Sequence, residues 1–267
     1  MMQETMSIHV FIICWVGKET FAHHIADSLI DHVDHLTVIY SNENEQIENG
    51  SGNWHKVPNE WFFGKKFHAC LEKNNADILL QIAADAHSDD WPELIANCMA
   101  AFNEYSQLGI WTPNINHTPW SQDRTAICPI DKDHLWSVIQ TDAIVWALST
   151  PVIQRLKKLD YQNNNLGWGI DWAAIAIAYG SSLLVLRDTN VEVLHPQGSG
   201  YASLDASNQM EGFLSQLSLH EQTLVKLLQE FYKSKDKDKI LNERLSIRKV
   251  TKIRSKDLIK KFSHPVQ

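Results

Sequence analysis

The 267-residue chain has only four cysteines, no glycine-rich phosphate loop, and no apolar run approaching the roughly 20 residues that cross a bilayer. Each absence excludes something. The opening "MMQETMSIHV" lacks the basic start and long apolar core of a secretory signal. The longest weakly interrupted apolar stretch, "WAAIAIAYGSSLLVL" (172–186), is broken by Gly180 and two serines. Cys14, Cys70, Cys98 and Cys128 are far apart and match no zinc or redox spacing, so they read as reduced thiols, mostly core, in a cytoplasmic protein. There is no internal repeat and no low-complexity segment.

What is present is a 44% hydrophobic content, enough for one sizeable core with a small appendage. Charge is unevenly spread. Lys233–Lys261 holds twelve Lys/Arg against four Asp/Glu, a local +8, which leaves −16 for the rest of a chain of net −8. So acidic a body argues against nucleic acid as a partner.

The periodicity predicts strands at 8–16 ("IHVFIICWV"), 36–41 ("LTVIYS") and 77–84 ("DILLQIAA"). Helices are expected at 19–33, with Phe21, Ile25 and Leu29 on one face, and at 59–74. The cleanest amphipathic pattern places Trp91, Leu94, Ile95, Cys98, Met99 and Phe102 on one side of a helix from residue 91. This alternation means βαβ units and an α/β fold: a mixed, mostly parallel sheet flanked by helices. Further on, 142–148 reads as a strand, 152–159 and 170–180 as helices, and 183–188 and 191–195 as two strands. The body is assigned to residues 1–208 and a helical, basic extension to 209–267, with helices around "MEGFLSQL" and "LVKLLQEFY".

Chemistry-bearing residues concentrate in "DAHSDDW" (85–91), directly after the third strand. Asp89, Asp90, Pro92 and Glu93 make a good helix start. Asp85 and His87 precede that cap, and two positions apart at a strand end they share a side. Ligands of such sheets bind beyond the strands' carboxyl ends. A carboxylate and an imidazole there suit manganese or a similar divalent ion.

The order of motifs resembles the GT-A-fold glycosyltransferases. "DAH" is similar to the D-x-H of the polypeptide N-acetylgalactosaminyltransferases, "NNNLGWGIDW" (163–172) to the family's G-W-G-x-D element, and "VEVLHPQGSGY" (191–201) to the later strand whose final His completes the metal site. The chain departs from the pattern at Ala83 and Ala84, where D-x-D would begin, at "ICWVGKE", which replaces P-T-Y-N, and at Asp171, where relatives often carry Glu.

The resemblance implies transfer of a sugar from a nucleotide-diphosphate donor, a UDP-sugar favoured, to a glycan or lipid-linked glycan. It implies Mn2+ or Mg2+ on Asp85, His87 and His195, acting as a Lewis acid at the leaving diphosphate. Asp171 is then the base of an inverting transfer, or orients hydroxyls in a retaining one; capping the helix that follows is its structural alternative. Trp168 and Trp172 are expected as an acceptor platform, with core packing as the alternative. Donor contacts are expected from Cys14 and Trp15 after the first strand, Ser41 and Asn42 after the second, Lys65 beside Lys66, Thr141 and Asp142, and a closing loop at Gly198.

The tail mixes Ile247, Val250, Ile253, Ile259 and Phe262 with dense Lys/Arg, a pattern that lies on anionic membranes at the inner leaflet or packs on a partner domain. Three other readings compete. An iron oxygenase would need H-x-D on an all-β fold. A sugar nucleotidyltransferase would need the glycine-rich loop that "CWVGKE" lacks. A non-catalytic nucleotide-sugar or glycan-binding domain would bind without turnover.

Overall fold

A computed structural model describes residues 6–42, 50–116, 118–131, 134–196 and 203–235. Among these, nine strands form one sheet in the order β3-β2-β1-β4-β8-β5-β9-β7-β6. They are β1 (Ile8–Cys14), β2 (His35–Tyr40), β3 (Asn53–Lys56), β4 (Ile78–Ala83), β5 (Leu108–Ile115), β6 (Ala126–Pro129), β7 (Leu135–Val138), β8 (Val145–Ser149) and β9 (Leu184–Val193). The first four are parallel, β8 runs against them, and β5 and β9 return to the first direction.

β1 and β4 are buried at every position, as strands covered on both faces must be. Alternate residues of β1 serve different cores. Val10, Ile12 and Cys14 pack toward helices α1 (Glu19–Leu29) and α3 (Trp91–Glu104). Phe11 and Ile13 pack with α2 (Phe63–Lys73), α5 (Thr150–Leu156) and α6 (Ile170–Gly180), while the one-turn α4 (Gln122–Thr125) leads into β6.

The expected α3 face is buried except for partly exposed Met99, and Asp90 caps that helix, accepting from Glu93 N at 2.9 Å. The α1 face differs. Ala22, Ile25, Ala26 and Leu29 are buried while Phe21 is 52% exposed, because spacing of three and four, not four alone, defines a helical stripe. The two strands expected at 183–195 are one, β9, with an irregularity where pairing to β5 jumps from Pro113↔Asp188 to Asn114↔Glu192.

After α6 and β9, α7 (Ser203–Leu214) crosses the division at residue 208, and a further helix, α8, occupies 219–235. α8 starts with a reciprocal capping box: Ser218 N donates to Glu221 Oε2 (2.7 Å) and Glu221 N to Ser218 Oγ (3.3 Å). Glu221 also takes two hydrogen bonds from Arg155 of α5, at 2.9 and 2.7 Å. No helix of the described residues is long and apolar enough to cross a membrane. The basic stretch from 236 lies outside them.

Candidate active site

The sheet brings one edge together. β1, β2, β4, β5 and β9 end there, and antiparallel β8 begins there. β4 stops at Ala83 in a turn closed by Ala86 N donating to Ala83 O (3.0 Å), and Asp85 sits in that turn. His87 and the end of β9 then exchange two backbone hydrogen bonds, His87 N to Leu194 O and Leu194 N to His87 O, both 2.8 Å. This short antiparallel bridge sets His195 beside Asp85. His195 Nε2 lies 3.5 Å from Asp85 Oδ1, and both side chains are about one-fifth exposed. That separation is long for an aligned hydrogen bond, and Oδ1 is buried without a hydrogen-bond partner. Burial raises the Asp85 carboxyl, but the His195 imidazole, then a backbone N–H of the turn and Lys18, outweigh it and hold it below its ordinary value.

His87 stands apart from this pair: its side chain is 67% exposed and its Nε2 faces Asp89 Oδ1 at 3.5 Å. Alternation, which would align it with Asp85, fails because the strand has already ended at Ala83. Among the described residues, no three His, Cys, Asp or Glu side chains are gathered to hold a metal. Asp85 and His195 nonetheless fit an O/N-ligated divalent ion, since a buried oxygen without a donor faces an imidazole nitrogen across a gap.

A pair of carboxylates, Asp142 and Asp171, lies along the same edge. Asp171 is not the cap of α6; left-handed Gly169 (φ 87°) is, and Asp171 stands in the first turn. Its Oδ1 accepts from Trp172 N and its Oδ2 from Gln140 Nε2, each at 2.8 Å. The Gln140 amide is oriented because its Oε1 accepts from Thr141 N (3.1 Å). Burial, with help from the Asp142 carboxylate, pushes Asp171 up to about 7 despite these bonds. Asp142 is raised by burial as well, against a 2.8 Å hydrogen bond from Thr118 Oγ1 and the pull of His195 and Arg187. Buried Arg187 donates to Trp120 O (2.8 Å) and Gln140 O (3.3 Å).

On the other flank the two adjacent lysines differ: Lys65 is partly buried, whereas Lys66 is fully buried. Its Nζ donates to Cys14 O and Ser41 Oγ, both at 2.7 Å, and sits 4.7 Å from the Trp15 ring centre. It thus ties the ends of β1 and β2, and burial lowers it to about 8. Cys14 contributes its carbonyl; its thiol faces the core, where burial pushes it up to about 12. Trp15 and Asn42 are partly exposed at this edge.

Trp168 is partly exposed between Gly167 (φ 86°) and Gly169, two left-handed positions that only glycine occupies easily. Trp172 lies in the core, the packing alternative, 6% exposed and edge-on to Trp120 with ring centres 5.5 Å apart. α6 is buried at 170 and at every position from 172 to 178, so this residue has core around it. Gly198 lies outside the described residues.

Sequence reasoning named Lys66 beside Lys65 but not its tie between the ends of β1 and β2, and it gave no role to Gln140, Arg187 or Trp120. Lys66 had a signal, since it shares the i, i+4 stripe of buried Cys70. Arg187 had one too, a charge inside the buried-strand pattern "LLVLRD". Gln140 and Trp120 had none.

No family model matches the sequence, and no curated protein is significantly similar to it. Solved structures are. GalNAc-T7 with UDP, GalNAc and Mn2+ superposes with a TM-score of 0.61 at 11% identity, covering 88% of this chain and 55% of that one. The fold is GT-A. S. aureus TarS 1–349 in complex with UDP-GlcNAc gives 0.57 at 13% identity, over 86% of this chain and 73% of that one. The mannosyltransferase PcManGT from Pyrobaculum calidifontis with GDP-Man and Mn2+ gives 0.53 at 9%, over 86% and 70%. The GT-A chain described here therefore spans about half the length of the GalNAc-T7 chain.

Proposed function

We propose that the protein is a metal-dependent glycosyltransferase that moves a sugar from a nucleotide-diphosphate donor, a UDP-sugar in the first instance, to a hydroxyl of a glycan or lipid-linked glycan. The observation that carries this reading is Asp85 facing His195 across a 3.5 Å gap at the carboxyl edge of a GT-A sheet, with a buried carboxylate oxygen left without a donor. The UDP and GDP-Man named with the similar structures support a nucleotide-sugar donor.

In this mechanism Asp85 and His195 would hold the divalent ion, with His87 joining them after a side-chain rotation. The ion supplies Lewis-acid stabilisation of the diphosphate leaving group. The nucleoside lies against the β1 and β2 ends, where Lys66 fixes the Cys14 carbonyl and Ser41 and presents Trp15. Asp142 contacts the donor sugar. In an inverting transfer the bond from the acceptor oxygen to the anomeric carbon forms as the carbon–phosphate oxygen bond breaks, and Asp171 takes the acceptor's proton. A carboxylate raised to about 7 is well matched to that task near neutral pH. Trp168 offers the acceptor a stacking face. The basic stretch Lys233–Lys261 draws the enzyme to an anionic membrane surface, where a lipid-linked acceptor would reside.

The test is a thermal-shift panel of UDP-, GDP- and CMP-sugars with and without Mn2+, on the parent and on Asp85→Ala. Metal-dependent stabilisation by one donor class, lost in the variant, is expected. No shift with any nucleotide in either protein would overturn the reading.

A further inference from the structure

The segment between β5 and β6 is gripped from three sides. On the site side, Thr118 Oγ1 donates to Asp142 Oδ2 (2.8 Å) and itself accepts from Trp120 N (3.1 Å). Below, Arg187 Nη2 donates to Trp120 O (2.8 Å), while the Trp120 ring stands at 87° to Trp172, the residue after Asp171. The third grip comes from the far end of the chain. Tyr232, near the end of α8, donates its hydroxyl to Pro119 O (3.1 Å). Its ring packs edge-on against Trp120 with centres 5.0 Å apart, and the Arg124 guanidinium covers it at 4.7 Å. α8 is itself anchored at its start by the Arg155–Glu221 pair.

We infer that α8 is a positioning strap of the active site, with Tyr232 as its clasp: through the 118–121 turn it fixes the carboxylates of Asp142 and Asp171. This inference rests on the transferase reading for its kinetic consequence but not for its structural one. Packing alone does not explain the arrangement. A helix that only covered apolar surface would have no need of a phenol bonded to a loop carbonyl, or of contacts that continue by hydrogen bonds to a site carboxylate. Tyr232 touches no reacting atom, so its effect falls on turnover more than on donor affinity.

Two measurements decide it. By hydrogen exchange, Tyr232→Ala in the full chain should accelerate exchange at the amides of Trp120 and Trp172, which the turn and the Asp171 carboxylate hold. Tyr232→Phe, which keeps the ring, should fall between parent and alanine. Acceleration confined to 219–235 would overturn the inference, whatever the protein's activity. For turnover, UDP release from the donor found by the panel should fall about 10- to 100-fold in Tyr232→Ala, as small misplacements of reacting groups cost. Its KM for that donor should stay within about threefold. Glu221→Gln, which loosens the other end of α8, serves as the control for stability loss: it should lower Tm without that drop in kcat. Equal kcat losses in both variants, or none in Tyr232→Ala, would also overturn the inference. A parent that turns over no donor leaves the exchange result to decide, and that outcome counts against the transferase reading alone.

Discussion

In Asp171 two hydrogen bonds that favour the anion, from Trp172 N and Gln140 Nε2, work against burial and the neighbouring Asp142, and the result is a carboxyl poised near neutrality. If it is the base, it must be ionised to act, so kcat/KM should rise with pH through about 7. Asp171→Asn should lose about 10²–10⁴ in kcat and flatten that limb of the profile. The same shift has a sign for stability. A carboxyl raised in the folded state contributes stability below its ordinary value of 3.8, and this is lost as pH climbs through about 7. Asp171→Asn should therefore melt higher than the parent at pH 8, with the two curves converging near pH 4. A parent–variant difference independent of pH would show that Asp171 ionises normally. Of these features the sequence made the identity of Asp171 legible, through the G-W-G-x-D spacing. Its environment was not, because Gln140 and Asp142 reach it from the connection between β7 and β8.

Helices and central strands were readable because burial shows in sequence as an apolar stripe or, where every face is covered, as an unbroken apolar run. β1, β4 and α6 follow their patterns to within a residue or two. β3 and β6 are mostly exposed edge strands of four residues, so no alternation marked them. The approach of two elements was equally invisible. α2 meets the G-W-G turn so closely that Gly64 N donates to Asn165 O (2.9 Å), and a Cβ on Gly64 would overlap Asn164 O. On Gly167 it would stand 2.5 Å from Phe63 Cδ1, at a φ that already disfavours side chains. Gly64→Ala should cost about 1–3 kcal/mol by overpacking, read as a Tm lowered by a few degrees per kcal/mol. Gly17→Ala, with left-handed backbone but open space around it, should cost only about 1 kcal/mol. If the two variants melt alike, the α2–turn contact is looser than described.

For the molecule as a whole, charge separates what topology joins. The −16 body and the +8 of Lys233–Lys261 meet at α8, whose Tyr232 holds the 118–121 turn. Binding of the full chain to vesicles rich in anionic lipid should weaken steeply between about 50 and 200 mM salt, as the screening length shortens through about 10 Å. It should vanish when residues 236–267 are removed. Undiminished binding by the shortened chain would discard the membrane partner while leaving the transfer chemistry intact. Composition made this asymmetry plain; the contact of Tyr232 with Pro119 was not, because 113 positions separate them along the chain.

One small feature has a large leverage. Along extended chain, neighbouring side chains alternate between opposite surfaces, so the two backbone bonds joining Leu194 to His87 also fix parity. Gaining or losing a single residue just before Leu194 would send the imidazole of the next position outward, while every other strand kept its partners. On the metal reading proposed above, such an indel should abolish Mn2+-dependent stabilisation by the donor in the thermal-shift assay while the metal-free Tm stays near the parent's.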